Sequence, residues 1–159
     1  MPALDPMEID YVAVEQAGAT SAFNLKSSFS NAQILGLAPS KILRSAVRFK
    51  KFALKTDSYT DRLDFAGQYT MNGHILVLPI RDEGFANVSM HELITRHEIA
   101  GDYFTGDDGN KYVNITKYII KFKPKWVTFR FDNLFNGDKL LGSTMNNFMN
   151  ENWEPVFGG

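Results

Sequence analysis

The chain of 159 residues contains no cysteine, which removes thiol catalysis, thiolate metal sites and internal disulfides together. It has no apolar run near the roughly 18 residues that a membrane-spanning helix needs, so stable membrane insertion is not expected. Its opening, Met1-Pro2-Ala3-Leu4-Asp5-Pro6, shows neither the basic nor the apolar region of a signal peptide. A dominant charge is missing too: Lys and Arg number 17 against 18 Asp and Glu. The basic residues are scattered, so nothing forms a phosphate-reading stripe and no nucleic-acid partner is expected. Linkers, repeats and low-complexity stretches are also absent, and residues 1–159 read as a single, monomeric domain. A domain of that size buries roughly two thirds of the surface its unfolded chain exposes.

Recognisable catalytic motifs are equally scarce. There is no Gly-x-Ser-x-Gly elbow, and Gly101-Asp102-Tyr103-Phe104-Thr105-Gly106 ends in a turn rather than opening a helix as a phosphate loop must. His91 and His97 are spaced for a metal pair on neither a helix nor a strand. Asp107-Asp108-Gly109-Asn110 lacks the bidentate glutamate of a calcium loop and reads as a hairpin turn. The expectation is therefore no metal, no cofactor and no enzymatic activity.

What the chain does have is aromatics, with 13 Phe, 6 Tyr and 2 Trp. Such side chains either fill a core or line a cavity for an apolar ligand. Asn87-Val88-Ser89 and Asn114-Ile115-Thr116 are N-glycosylation triplets, making Asn87 and Asn114 candidate modification sites.

Most of the sequence carries the two-residue period of strands. Phe23, Leu25, Ser27 and Phe29 alternate with polar residues, and Glu8 to Gln16 is β-branched and aromatic. Ser40 to Leu54 fits either a helical stripe or a strand interrupted by a bulge near Lys50-Lys51. Asn72-Gly73 is the preferred two-residue hairpin turn. It would pair Met71 with His74, Tyr69 with Leu76, Gly67 with Leu78 and Phe65 with Ile80, placing all eight on one covered face. His74 would then be a packed or rim histidine, with Ile75 and Val77 on the open face.

Two long strands change parity partway. Val113 and Ile115 are out of phase with Tyr118, Ile120 and Phe122, and Val88 and Met90 are out of phase with Leu93. A bulge near Thr116-Lys117 would return the apolar groups to one side and bend the strand. Matched phase changes predict a strongly curved sheet with an apolar concave face and both triplet asparagines outside. After a strand from Trp126 to Phe131, apolar residues at Leu140, Leu141, Met145, Phe148, Met149, Trp153 and Val156 recur at helical spacing. Asp138 is the expected N-cap, Pro155 should stop or kink the helix, and its stripe should lie on the concave face.

Phe131-Asp132-Asn133-Leu134-Phe135-Asn136-Gly137-Asp138-Lys139, with Leu141-Gly142 and Asn147-Phe148-Met149-Asn150-Glu151-Asn152-Trp153, resembles the C-terminal motif of the takeout and juvenile-hormone-binding family of insects. Gly67-Gln68-Tyr69 through Asn72-Gly73-His74-Ile75-Leu76-Val77-Leu78-Pro79-Ile80 resembles the family's hairpin, and Phe122-Lys123-Pro124 the segment before its last strand. The resemblance implies an α+β fold of the tubular lipid-binding kind, a long curved antiparallel sheet wrapped around a C-terminal helix as a half-barrel. It implies a secreted carrier in haemolymph or a similar fluid, whose ligand is a juvenile hormone-like terpenoid, an isoprenoid quinone or a fatty acyl compound. It also implies that a leader, an N-terminal disulfide segment and the end of the C-terminal helix lie outside residues 1–159.

On that reading the candidate ligand-binding residues are Phe65, Tyr69, Leu76, Leu78, Tyr118, Ile120 and Phe122 on strands, and Met145, Phe148, Met149 and Trp153 on the helix. Tyr69 and Tyr118 would offer hydroxyls to an ester, epoxide or carbonyl. The alternative is a β-rich interaction or structural domain with a filled core. Empty volume on the concave side distinguishes the two.

Overall fold

Strands in globular proteins usually run five or six residues, but the two that organise this chain are several times longer. The computed structural model, which describes residues 4–17 and 23–158, has β1 at Met7–Ala17, β2 at Phe23–Leu35, β3 at Lys41–Arg48, β4 at Ala53–Ile75, β5 at Leu78–Thr105, β6 at Lys111–Lys123 and β7 at Trp126–Phe131. A 3-10 turn at Leu134–Gly137 leads into α1, Lys139–Glu151, and α2, Trp153–Gly158. β4 and β5 pair in one antiparallel register along their whole length, from Ala53 with Ala100 to Ile75 with Leu78. Their outer edges are each shared between two partners. β2 covers the Asp64 to Ile75 stretch of β4 and β3 the Ala53 to Tyr59 stretch. β7 covers Ala86 to His91 of β5 and β6 covers Ile94 to Thr105. β1 lies outside β2, completing a seven-stranded sheet in two halves.

The halves join where both long strands change parity on one rung. Leu63 and Thr60 of β4 face the same side although three residues apart, as do Met90 and Leu93 of β5. Arg62 still pairs with His91 and Thr60 with Leu93, so the register survives while the faces swap. Glu92, at the switch, has a φ of 46°. β6 has its bulge at Thr116, since Ala100 pairs with Lys117 but Gly101 with Ile115. β2 shifts register between Ser30 and Gln33, beside Asn31 with a φ of 48°. These irregularities keep apolar residues on one concave side along strands too long to stay flat.

The β4–β5 turn departs from the expected position. Leu76 and Val77 form it, four residues beyond Asn72-Gly73, and Leu76 has a φ of 54°. Met71 therefore faces Asp82 and Tyr69 faces Gly84. His74 leaves the covered face and Ile75 takes its place with 1% exposure, while Leu76 and Leu78 stand exposed at the tip. The reason is β2. Leu25 pairs with Gly73 so closely that a Cβ there would stand 1.9 Å from the Asn24 carbonyl oxygen. The glycine permits the approach of a third strand rather than a turn, and the longer hairpin buries Ile75 and Ile80 where the other register would have buried a histidine.

Residues 40–54 adopt the strand alternative, with a turn at residues 49–52 instead of a bulge. β3 is exposed along its length. The second hairpin turns between Thr105 and Lys111, closed by the Gly106 amide donating to the Asn110 carbonyl at 2.9 Å.

Asp138 caps α1 by accepting from the Leu141 amide at 2.9 Å. The break between the helices falls at Asn152, three residues before Pro155. A proline ring clashes with the carbonyl four residues back, here that of Glu151, and cannot donate to it. α1 runs along the edge of β7 that β5 leaves open. The Asn146 amide accepts from the Phe131 N–H at 2.8 Å and donates to its carbonyl at 3.0 Å. Asn150 does the same to Phe129, at 2.6 and 3.1 Å. Two side chains one helical turn apart thus take the place of a neighbouring strand, satisfying an edge that would otherwise be unpaired. Met145 and Met149 turn inward to the core.

Candidate functional site

The concave face of the sheet and the helices line a half-open cavity of about 820 Å³. That lies within the range of small-ligand pockets, roughly 300–1,000 Å³. In the β1–β2–β4–β5–β7 half its wall is apolar apart from Ser27, with Leu25 and Phe29 of β2, Leu63, Phe65 and Met71 of β4, Met90 and Leu93 of β5, and Phe129 and Phe131 of β7. Phe29 and Phe65 meet edge to face at 5.1 Å. Met149, Val156 and Phe157 close this half from the helices.

The other half is lined differently. Ser40, Ser58, Thr60, Thr95 and His97 join Tyr118, Ile120 and Phe122 on the wall. Ser58 pairs with Thr95 and Thr56 with His97 across the β4–β5 ladder, so hydroxyls and an imidazole stand on adjacent rungs. Ser40 and Thr60 share a hydrogen bond of 2.7 Å. His97 Nδ1 lies 3.0 Å from the Tyr118 hydroxyl, with the rings stacked. Among the described lining residues there is no Asp, Glu, Lys or Arg. The wall thus passes from hydrocarbon to neutral hydrogen-bonding groups.

Of the residues singled out from the sequence, Phe65, Tyr118, Ile120, Phe122 and Met149 line this cavity together. The others stand elsewhere. Tyr69 is buried with its hydroxyl donating to the Asp132 carbonyl, and its ring meets Phe131 edge to face at 4.9 Å. Burial, with Asp82 and Asp132 nearby, pushes its phenol well above the ordinary range. Its hydroxyl is therefore occupied within the fold. Met145 is buried in the core, Phe148 and Trp153 pack half-buried against it, and Leu76 and Leu78 sit at the exposed hairpin tip.

The sequence reading missed the polar group at Ser58, Thr60, Thr95 and His97. Its available signal was the alternation of hydroxyls with larger residues on either side of the Asp61 and Glu92 parity change. His91 and His97, considered as a metal pair, lie on opposite faces. His97 lines the cavity, whereas His91 on the convex side stacks on Trp126 at 4.8 Å and lies 3.1 Å from the Thr128 hydroxyl. Partial burial first, then the charge of Arg62, lowers the His91 pKa. Among the described residues no group of three His, Cys, Asp or Glu side chains could hold a metal ion, and no helix is long and apolar enough to cross a membrane.

The convex side opposite the polar group holds an ionic cluster. Asp57, 6% exposed, accepts from Arg96 at 2.7 and 3.0 Å and from Arg44 at 2.6 Å, joining β3, β4 and β5. The Arg96 and Arg44 guanidiniums hold its carboxyl far below the usual range.

A long antiparallel sheet curled around an apolar cavity and closed by C-terminal helices defines a tubular lipid-binding type of fold. The chain belongs to the haemolymph juvenile hormone binding protein family, whose model matches residues 1–159. It is similar to the circadian clock-controlled protein daywake of Drosophila yakuba, 29% identical over 97% of this chain and 61% of that protein, and to its Drosophila melanogaster counterpart at 28% with the same coverage. The crystal structure of Epiphyas postvittana Takeout 1 superposes with a TM-score of 0.84 at 27% identity, covering 98% of this chain and 69% of that one. The chain thus spans 61% of the length of the curated relatives it matches.

Proposed function

We propose that this protein is an extracellular carrier that holds a small hydrophobic ligand in the cavity of its curved sheet, without bond-making chemistry. The observation that carries the reading is the cavity of about 820 Å³ with an apolar wall. A structural domain with a filled core would leave no such volume, because close-packed interiors retain few voids larger than a water molecule. The name of the family supports a juvenile hormone-like terpenoid, and an isoprenoid quinone or fatty acyl compound fits the same wall.

The lining also supports a direction of binding. A hydrocarbon chain fits against Leu25, Met71 and Phe131, and a neutral ester, ketone or epoxide fits toward Ser58, Thr95, His97 and Tyr118. A carboxylate would enter with no lysine or arginine among the described wall residues to receive its charge. The cavity residues of the carrier are thus Phe65, Tyr118, Ile120, Phe122 and Met149 from the sequence reading, joined by the polar group.

Titration with a fluorescent apolar probe, followed by displacement with juvenile hormone or ubiquinone, tests the proposal. It is run on residues 1–159 and on a polypeptide of the relatives' full length. Saturable binding and competitive displacement are expected, and their absence from both proteins ends the carrier reading.

A further inference from the structure

Neither triplet asparagine lines the cavity, yet one of them stands in a formed site. On a strand, residues two apart share a face, and on the convex side of β5 that row is Phe85, Asn87 and Ser89. The Ser89 hydroxyl, which donates to the Asp64 carboxylate, lies 3.0 Å from Asn87 Oδ1. Asn87 Nδ2, the atom an N-linked glycan substitutes, donates to no described residue. Asn87 pairs with Ala66 on one side, where the side chain is small, and with Arg130 on the other.

Around this row runs an outer groove of about 560 Å³. Phe85, 51% exposed, stands at one end near Asp132, whose amide donates to the Phe85 carbonyl at 2.9 Å. Thr128 pairs with Ser89 at the other end, and Arg62 donates to the Ser89 hydroxyl at 3.3 Å. An exposed aromatic ring beside guanidinium, hydroxyl and carboxylate groups is the chemistry a pyranose takes. Its C–H face packs on the ring, and its hydroxyls and acetamide find donors and acceptors. Asn114 offers a contrast. It is exposed on β6, but its triplet ends at the Thr116 bulge, where the hydroxyl donates to the Ala100 carbonyl at 3.4 Å.

We propose that Asn87 carries an N-linked glycan whose first N-acetylglucosamine is seated in this groove against Phe85. The sugar covers convex surface and leaves the concave cavity untouched, so the modification is independent of whether a ligand binds.

The chain is expressed in insect cells behind a cleavable secretion leader. Chains whose leader has been removed are scored, whether secreted or retained. N-glycosidase release in heavy-oxygen water and mass spectrometry then report occupancy at each asparagine. Asn87 is expected to be occupied, and its glycan to be released from the native protein at least about tenfold more slowly than from denatured protein, as packing against a ring would require. Phe85→Ala, at an exposed position, is expected to abolish that protection with the circular dichroism unchanged. An unmodified Asn87 in leader-cleaved chains overturns the proposal. So does a glycan released equally fast from native and denatured protein, or protection that survives Phe85→Ala.

Discussion

Asp57 is the residue on which the β3 edge depends most directly. β3 has no buried side chain of its own, and its attachment combines ladder bonds to β4 with the Arg44–Asp57–Arg96 cluster. Asp57→Asn keeps the volume but removes the charge and leaves one acceptor oxygen where the carboxylate takes three guanidinium hydrogen bonds. A fall of several degrees in melting temperature at neutral pH is expected. The pH dependence has a definite sign. A carboxyl whose folded pKa lies below its unfolded value adds stability that is complete above the unfolded value, about 4, and is lost as pH falls toward the folded one. Melting temperatures measured from pH 7 to pH 2 should therefore converge for wild type and variant below about pH 4. A constant difference across that range would assign the effect to packing rather than charge.

At the scale of elements, Gly73 and the α1 asparagines make opposite demands. Gly73→Ala places a methyl against the Asn24 backbone, so β2 must separate from β4 or the hairpin must change register. A loss of about 2 kcal/mol or more is expected in urea unfolding, since a strained backbone position and a lost ladder contribute together. Asn146→Ala and Asn150→Ala each expose a backbone N–H and carbonyl of β7 that no strand can reach. Each should cost about 1–3 kcal/mol, the range for stranded part-buried polar groups. Because Met149 and Phe157 close the cavity from these helices, the same variants should speed dissociation of a bound apolar probe. Stopped-flow release would show it.

These elements also mark what was legible in the sequence. The β6 bulge, the β5 parity change, the Asp138 cap and the break near Pro155 follow from local patterns, and the structure has each where the pattern put it. The β4–β5 turn was misplaced because Asn72-Gly73 has a local meaning and a nonlocal one, and only the position of β2 decides between them. The edge-covering role of Asn146 and Asn150 was invisible for the same reason. An amide on a polar helix face reads as solvent-facing until a strand edge is placed beside it. Four of the candidate cavity residues were legible from strand parity and Met149 from helical spacing, whereas Leu76 and Leu78 moved to the exposed tip with the turn and Tyr69 proved to be committed to Asp132.

At the scale of the molecule, the two halves do different work. The β7 half buries Leu25, Tyr69, Met71, Ile80 and Phe131 and is closed by helices, whereas on β6 Tyr118, Ile120 and Phe122 remain about half exposed on the concave side. Uncovered apolar surface of this kind is what the proposed ligand would cover. If the cavity is what binds, filling it should remove binding without removing the fold. Val88 lines the cavity and is half-buried where β5 crosses its floor. Val88→Trp should direct an indole into the space the ligand requires, at a cost of about 1–3 kcal/mol, the usual range for enlarging a core residue. The expected result is a cooperative unfolding transition, retained β-sheet circular dichroism and a loss of at least about tenfold in affinity for the apolar probe, since filled volume excludes the ligand directly. If Val88→Trp bound the probe as tightly as the wild type, the ligand would have to lie in the β6 half of the cavity, against Tyr118, Ile120 and Phe122 and away from the indole.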